Sequence, residues 1–341
     1  MALPRSTAFA SDNAAPAHPA AIEAIVAANT GSTPSYGTDP ITDRAAARLR
    51  DVFESPEAEV LFAFTGTGAN IIALAAGIRP WNSILCSDIA HALLDEAGGP
   101  VRLSGSTIIP LPSDDGLVDP AALDKAISLR GDVHHPQPRV VTITQSTENG
   151  RVWTSEHIAE FVDHAHELDL LVHVDGSRVA NAIGALHSTP LAAVGDADIV
   201  TVGGTKNGML FGDAIVVRRP AHFTGIHFVQ KQIGHLASKH RFVSAQFDAL
   251  LSGDRWLDLG AHANTMAARL STGLAGLGLK LAAPTEANEV FVILEPAIHA
   301  AVSERYAVHA PDPLRPIYRF VCSWATTEDE VDAVLHLLRA L

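Results

Sequence analysis

Three short polar stretches could carry chemistry together, although they lie far apart in the sequence. FTGTGAN at residues 64–70 leads into an apolar helical run, and the free N–H groups and dipole of a helix N-terminus favour an anion. HVDGSR at 173–178 and GGTKNG at 203–208 each follow an apolar, strand-like run. These two stretches supply an aspartate, an arginine and a lysine. FTGTGAN alone leaves open a nucleotide phosphate, a substrate carboxylate or no ligand.

Lys206 is the most informative of these side chains, because a lone lysine among glycines after an apolar strand adds nothing to packing and is costly to bury. Asp175 could instead cap the next helix, and Arg178 could be a surface cation. Pyridoxal 5′-phosphate (PLP) needs this combination: a helix N-terminus for its phosphate, a lysine amine for its aldehyde and a carboxylate for its pyridine nitrogen. FTGTGAN lacks the GxGxxG spacing of a nicotinamide site, and the chain has no GxxxxGK[ST] P-loop.

Hydrophobic periodicity predicts the elements that bring these stretches together. Strands are expected at 60–64, 140–144, 170–174, 198–202, 214–217, 290–294 and 318–323. The strand at 214–217 is expected to pair antiparallel with its neighbour. Helices are expected at 19–29, 41–53, 70–77, 179–186, 227–251, 254–277 and 328–341, with another that begins at Thr154 or Ser155. Strand–helix–strand order predicts an α/β fold with a mainly parallel sheet covered by helices, and ligands at the carboxyl ends of its strands.

The predicted domains are an N-terminal segment that contributes to the active site (1–40), a large α/β domain (41–250) and a small α+β C-terminal domain (251–341). The formal net charge of −14 argues against sequence-independent nucleic-acid binding. No apolar run approaches the ~20 residues that span a membrane, and the N-terminus has no apolar core of a secretory signal, so we expect a cytoplasmic protein. The two cysteines and 17 scattered histidines include no metal-binding motif, so no metal is expected.

Nine segments together resemble the threonine aldolase branch of the fold-type-I PLP-dependent enzymes, also called the β-eliminating lyase family. They are FASDN (9–13), SYGTDPIT (35–42), FTGTGAN (64–70), AHALLDEAGGP (90–100), DVHHPQPR (132–139), HVDGSRVANA (173–182), GGTKNGM (203–209), QIGHLASKHRF (232–242) and YRFVCSW (318–324). Each segment is modest evidence, whereas their order and spacing are highly specific. The resemblance implies the fold-type-I architecture, with helices on both faces of the sheet.

The resemblance also implies which residues hold the cofactor. Lys206 matches the lysine that forms a Schiff base with PLP, and Asp175 matches the acid at the pyridine nitrogen. Arg178 matches an arginine near the ring oxygen and the substrate carboxylate. Gly66 and Thr67 match the phosphate-binding positions.

Further matches concern the substrate. His91 matches a histidine that stacks on the cofactor ring and can meet the substrate β-hydroxyl, and His134 matches a second histidine directed at that hydroxyl. Ser11 and Arg319 match contacts to the substrate carboxylate, although Ser11 could equally cap a turn. Glu96 matches a glutamate near the site, with either a structural or a proton-relay role.

The family's tetrameric members imply a homotetramer, a dimer of dimers, in which a basic residue of a neighbouring subunit approaches the phosphate. Lys231 lies in the corresponding region, although the surrounding QKQ is a weak match. Thr65 stands where relatives often have Ser or Asn. The loop at 310–316 precedes Arg319 and is expected to shape the pocket for the aldehyde.

The implied reaction is cleavage of L-threonine, L-allo-threonine or related β-hydroxy-α-amino acids to glycine and an aldehyde. The base is His134, His91 or a water that they hold. Alternatives are a phenylserine-type aldolase, another PLP-dependent amino-acid lyase or racemase, and a PLP-fold protein without turnover. The sequence does not give the preferred substrate, the threo/erythro preference, the aldehyde size or the physiological direction.

Overall fold

The computed structural model describes residues 5–312 and 314–341. Residues 1–4 of the predicted N-terminal segment and Pro313 of the predicted pocket loop lie outside the described residues.

The described chain alternates strands and helices over most of its length. The strands are β1 (Glu59–Ala63), β2 (Asn82–Ser87), β3 (Thr107–Leu111), β4 (Ser113–Asp114), β5 (Leu117–Val118), β6 (Gln137–Thr144), β7 (Leu171–Gly176), β8 (Ile199–Gly203), β9 (Asp213–Val217), β10 (Glu289–Ile293) and β11 (Ile317–Val321). The α-helices are α1 (Pro19–Ala28), α2 (Pro40–Val52), α3 (Gly66–Ala76), α4 (His91–Leu94), α5 (Gly99–Ser104), α6 (Ala121–Ala126), α7 (Ser155–Glu167), α8 (Val179–Leu186), α9 (Pro190–Val194), α10 (Ile226–Gln232), α11 (Arg241–Leu250), α12 (Arg255–Gly276), α13 (Pro296–Ser303) and α14 (Glu328–Arg339). Short 3₁₀ turns lie at Asp12–Ala14, Thr205–Asn207 and Pro220–His222.

A seven-stranded sheet forms the centre of the molecule, in the order β1-β9-β8-β7-β6-β2-β3. The pairs from β8 through β3 are parallel. β9 is antiparallel to both of its neighbours, β1 and β8. β1 therefore runs parallel to β8, and the carboxyl ends of β1, β7 and β8 meet at one edge.

Helices cover both faces of this sheet. Alternate strand residues point to opposite faces, and Val200 and Val202 of β8 join one hydrophobic cluster while Ile199 joins another. A third cluster lies around β10, β11, α12 and α14, and Phe9 of the N-terminal segment packs into it. The α/β fold with a mainly parallel sheet is thus confirmed, while the domain division stays a proposal.

The predicted helix over 227–251 is wrong, because the chain forms two helices there, α10 and α11. Gly234 follows α10 with φ +81°, a conformation that ends a right-handed helix and that glycine adopts without strain. The break carries His235 back to the FTGTGAN turn, where its Nδ1 accepts a hydrogen bond from the Phe64 N–H at 3.1 Å.

In the described part of the chain, none of the helices combines the length and the apolar character required to cross a bilayer.

Candidate active site

Two adjoining cavities lie at the edge where β1, β7 and β8 end. The first, which we call the turn cavity, has about 330 Å³ and is lined by Gly66, Thr67, Asp175 and Lys206 among others. The second, the arginine cavity, has about 590 Å³, and its lining includes Arg178 and Arg319. Lys206, His91 and Asn13 line both cavities, so the two form one continuous candidate site.

The FTGTGAN turn begins α3 as an anion site requires. Thr65 is the N-cap, and its Oγ1 accepts a hydrogen bond from the Gly68 N–H at 3.0 Å. Gly66 and Thr67 are the first two residues of the helix, so their N–H groups have no acceptor within it. A Cβ on Gly66 would lie 2.9 Å from Oδ2 of Asp213, so the turn has room for glycine only.

Asp175 is held as a buried, ionised carboxylate at the end of β7. Its Oδ2 accepts from Asn70 Nδ2 at 2.7 Å, and its Oδ1 accepts from the Ser177 N–H at 3.0 Å. Burial alone would raise the pKa of Asp175, but the neighbouring His173, the ammonium of Lys206 and these hydrogen bonds bring it below its usual value. The carboxylate can therefore hold a proton on a facing ring nitrogen.

Lys206 lies in the 3₁₀ turn that follows β8, and its Nζ donates to Ser177 Oγ at 3.3 Å. Burial and the nearby guanidinium of Arg178 lower the pKa of Lys206, although the surrounding carboxylates oppose this. A lowered pKa increases the fraction of neutral amine, the form that attacks an aldehyde.

His91 begins α4 at the boundary between the cavities. Its Nδ1 lies 3.0 Å from Glu96 Oε1, and its backbone N–H donates to Glu148 Oε1 at 2.8 Å. The hydrogen bond that His91 donates to Glu96 raises the pKa of His91 in spite of partial burial.

Two arginines in the arginine cavity are held by buried carboxylates. Arg178 makes a bidentate contact to Asp12, from Nε at 2.7 Å and from Nη2 at 3.2 Å, and its Nη1 lies 3.5 Å from Glu289. Arg319 Nη1 donates to the other oxygen of Glu289 at 3.1 Å, while its buried Nε has no hydrogen-bond partner in the described structure. Arg319 also lines the arginine cavity, where its guanidinium can meet a substrate carboxylate.

Ser11 also lines the arginine cavity, and it caps the turn at Asp12–Ala14, where its Oγ accepts from the Asn13 N–H at 3.2 Å. Both interpretations of this serine are thus compatible with its position.

The structure does not bring His134 or Lys231 to these cavities within one chain. His134 is exposed and precedes β6, so it lies at the amino edge of the sheet, whereas Lys206 lies at the carboxyl edge. β6 has eight residues, which separates the two edges by about 25 Å at ~3.3 Å per residue. Lys231 is exposed on α10, with its Nζ 4.8 Å from the centre of the Tyr36 ring. Within one chain His134 is therefore remote from the cavities, whereas the expectation that Lys231 serves a neighbouring subunit stays a prediction.

The chain matches the beta-eliminating lyase family over residues 8–297. It belongs to that family. A low specificity L-threonine aldolase of Pseudomonas sp. (strain NCIMB 10558) is 39% identical over 99% of this chain and 98% of its own length. A protein of the same description from Pseudomonas aeruginosa is 39% identical over 95% of this chain and 94% of its own. The structure of Leishmania major threonine aldolase is similar with a TM-score of 0.94 at 28% identity, covering 98% of this chain and 99% of that one. The predicted family is confirmed.

Membership in the beta-eliminating lyase family implies PLP as the cofactor, and the turn cavity fits it. The first N–H groups of α3 would hold the phosphate, since they have no partner within the helix. Asp175 would face the pyridine nitrogen, and Lys206 would meet the aldehyde carbon. Within residues 5–312 and 314–341, no group of three or more His, Cys, Asp or Glu side chains could hold a metal ion.

Sequence reasoning missed several polar residues of the site. Asn70 reads as part of the first helical turn, yet its amide contacts Asp175. Asp12 and Glu289 hold the arginines, although neither stands out in a pattern. Glu148 could have been found, because it follows β6 at the carboxyl edge, where the functional side chains gather.

Proposed function

We propose that the protein is a PLP-dependent aldolase that cleaves L-threonine, L-allo-threonine and related β-hydroxy-α-amino acids to glycine and an aldehyde. The observation that carries the proposal is the convergence of the α3 N-terminus, a buried ionised Asp175 and Lys206 in one cavity. The arginine cavity adjoins it and offers cationic groups to an amino-acid carboxylate. The similarity to low specificity L-threonine aldolases over almost the whole chain supports the reaction type.

In this proposal Lys206 would hold PLP through Nζ, and the bound cofactor would supply the electron sink that lets the substrate Cα–Cβ bond break. Asp175 would keep the ring nitrogen protonated. Gly66 and Thr67 would bind the phosphate through their N–H groups, and Arg178 would serve the ring oxygen.

The remaining residues act on the substrate. Arg319 binds the α-carboxylate through its guanidinium, and Ser11 lines the same cavity. His91 accepts the proton of the β-hydroxyl, because it lines both cavities of its own chain. After cleavage Lys206, as a neutral amine, is positioned to move a proton at the Cα of glycine.

Covalent attachment is tested by reducing the PLP-loaded protein with borohydride and locating the modified peptide by mass spectrometry. We expect the modification on Lys206, its loss in Lys206→Ala, and its retention in the matched control Lys280→Ala, which changes an exposed lysine. Modification at another lysine would contradict the assignment.

The reaction is tested by incubating the loaded enzyme with L-threonine, L-allo-threonine and phenylserine and measuring glycine and aldehyde. Release of both from at least one substrate supports an aldolase, and the ratio of kcat/KM values separates a threonine enzyme from a phenylserine-type one. A protein that binds PLP and yields no aldehyde from any of the three would refute the proposal.

We further propose a cytoplasmic homotetramer in which His134 and Lys231 serve the site of another subunit. Exposed apolar side chains accompany both residues: Val133 is 92% exposed, and Phe228 on α10 is 80% exposed. Burial of these two side chains in a subunit interface would contribute to association.

Subunit complementation tests this assembly. Co-expressed Lys206→Ala and His134→Phe chains should form hybrid tetramers with more activity than either parent, because some sites then combine an intact Lys206 with an intact His134. A hybrid no more active than its parents would show that His134 does not act across subunits.

A further inference from the structure

A buried hydrogen-bond chain links Asp175 to His91 across the floor of the site. Asn70 Nδ2 donates to Asp175 Oδ2 at 2.7 Å and to Glu96 Oε1 at 2.9 Å. The same Glu96 oxygen lies 3.0 Å from His91 Nδ1. The Glu96 side chain is fully buried, and its Oε2 has no hydrogen-bond partner in the described structure.

The orientation of the Asn70 amide is fixed by chemistry. Ionised carboxylates only accept hydrogen bonds, so the nitrogen must face Asp175 and Glu96 and uses both of its hydrogens there. Thr201 Oγ1 donates to the opposite end of the amide, Asn70 Oδ1, at 3.0 Å. Every hydrogen-bonding atom of this amide is therefore used, and Glu96 is held in place.

The same argument determines the proton on His91. Glu96 Oε1 already accepts from Asn70 and acts as an acceptor towards Nδ1 as well, so neutral His91 carries its hydrogen on Nδ1. Its Nε2 is then left with a free lone pair. This is the arrangement in which a carboxylate prepares an imidazole to take a proton.

We propose that Glu96, held by Asn70, is the positioning residue that fixes the tautomer and ring orientation of His91, so that Nε2 is the atom that accepts the β-hydroxyl proton. The claim that Nε2 takes the proton of a substrate β-hydroxyl rests on the proposed function, whereas the assignment of the His91 tautomer does not. The chain also joins the residue at the ring nitrogen, Asp175, to the residue at the substrate.

The charged groups that face His91 support a role for the charge of Glu96. The hydrogen bond to Glu96 is the largest contribution that raises the pKa of His91, and Asp175 adds to it, while burial and Lys206 oppose it. Glu148 contacts the backbone N–H of His91 and not its ring. Loss of the charge at Glu96 should therefore lower the pKa of His91 and free its tautomer.

The test is nitrogen NMR of the imidazoles in ¹⁵N-histidine-labelled protein, with His91 assigned by its absence in His91→Asn. In the wild type we expect His91 protonated on Nδ1 at high pH. In Glu96→Gln, which keeps the shape but not the charge, we expect a mixture of tautomers and a midpoint at lower pH. Glu160→Gln makes the same chemical change on the exposed face of α7 and should leave the His91 signals unchanged.

Activity of the PLP-saturated enzyme provides the second measurement. In Glu96→Gln we expect kcat for L-allo-threonine cleavage to fall by about 10-fold or more, consistent with the ~10²-fold contribution of a positioned base. The acid limb of the pH–rate profile should move to lower pH together with the NMR midpoint. Unchanged His91 signals in Glu96→Gln, or changed signals with unchanged kcat, would overturn the proposal.

Two arrangements keep the test decisive. If Glu96→Gln does not fold, Asn70→Ala removes the donor that holds Glu96, and a folded Asn70→Ala with unchanged His91 signals would refute the role of the held carboxylate. If the wild type cleaves none of the β-hydroxy amino acids, the proposed function fails, while the NMR comparison still decides whether Glu96 sets the tautomer.

Discussion

His173 makes the stability of the fold depend on pH. It lies in β7 with 1% of its surface exposed, and its Nδ1 is 2.8 Å from Thr142 Oγ1. Its Nε2 is buried without a hydrogen-bond partner in the described structure. Burial lowers the pKa of His173 to about 4, although the charge of Asp175 opposes the shift. The folded protein therefore keeps this imidazole neutral in mildly acidic solution.

The expected effect on stability follows from linkage. In the unfolded chain a histidine titrates near ~6.5, so between ~6.5 and ~4 the unfolded state binds a proton that the folded state does not. The free energy of unfolding consequently falls as the pH falls through this window. The loss from this one group is about 2 kcal/mol at pH ~5 and about 3 kcal/mol near pH ~4, with almost none above pH ~7.5.

The assay is reversible urea unfolding of the wild type and His173→Gln at pH ~7.5 and ~5. Glutamine can still hydrogen-bond to Thr142 but does not titrate, so the wild type should lose about 2 kcal/mol more than the variant between the two pH values. Comparing pH values cancels the cost of the substitution itself. His157→Gln, on the exposed face of α7, should behave like the wild type. Equal losses in the wild type and His173→Gln would refute the reasoning.

Three further variants test the arginine cavity and the strand ends. Glu289→Gln weakens the contact that orients Arg319, so steady-state kinetics should show KM for the amino acid rising about 10-fold with a smaller change in kcat, and an unchanged KM would contradict this role. Asp12→Ala removes the bidentate partner of the buried Arg178 and leaves it the longer contact to Glu289, so urea unfolding at neutral pH should show a loss of about 3 kcal/mol, whereas a loss under ~1 kcal/mol would mean that Glu289 alone compensates the guanidinium. Gly203→Ala places a Cβ against the carbonyl oxygen of Ser177, so we expect thermal unfolding to show a loss of about 3 kcal/mol or more, and a variant as stable as the wild type would contradict the close approach.

The sequence predicted the parallel strands β6, β7 and β8 because buried parallel strands leave continuous β-branched runs, as in VVTIT before Gln145. It did not predict β2 or β3. Their runs, NSILCS and TIIPL, are interrupted by polar residues and by Pro110, which an edge strand tolerates. The sequence also did not predict the break between α10 and α11. The turn at Gly234 depends on packing against the FTGTGAN turn, which is remote in sequence.

A site residue was predictable from the sequence when its residue type has few structural roles at that position, as for Lys206 among glycines. Asn70 and Glu289 were not predictable, because asparagine and glutamate are ordinary in helices and strands, and only the tertiary structure shows which partner they meet. For His134 the sequence match did not predict the position in the fold. The match identifies the residue, but its distance from Lys206 depends on the edge of the sheet at which its loop lies.

The position of β1 at the edge of the sheet has a consequence for synthesis. β1 pairs with β9, so about 150 residues must be made between the first strand of this pair and the second. At ~5–20 residues per second, a ribosome needs roughly 8–30 s for that interval. During this time β1 has no partner strand, because the central sheet pairs it with β9, whereas α3 can already pack against residues of β6, β7 and β8. The nascent chain therefore exposes apolar surface that invites aggregation or chaperone binding until β9 emerges.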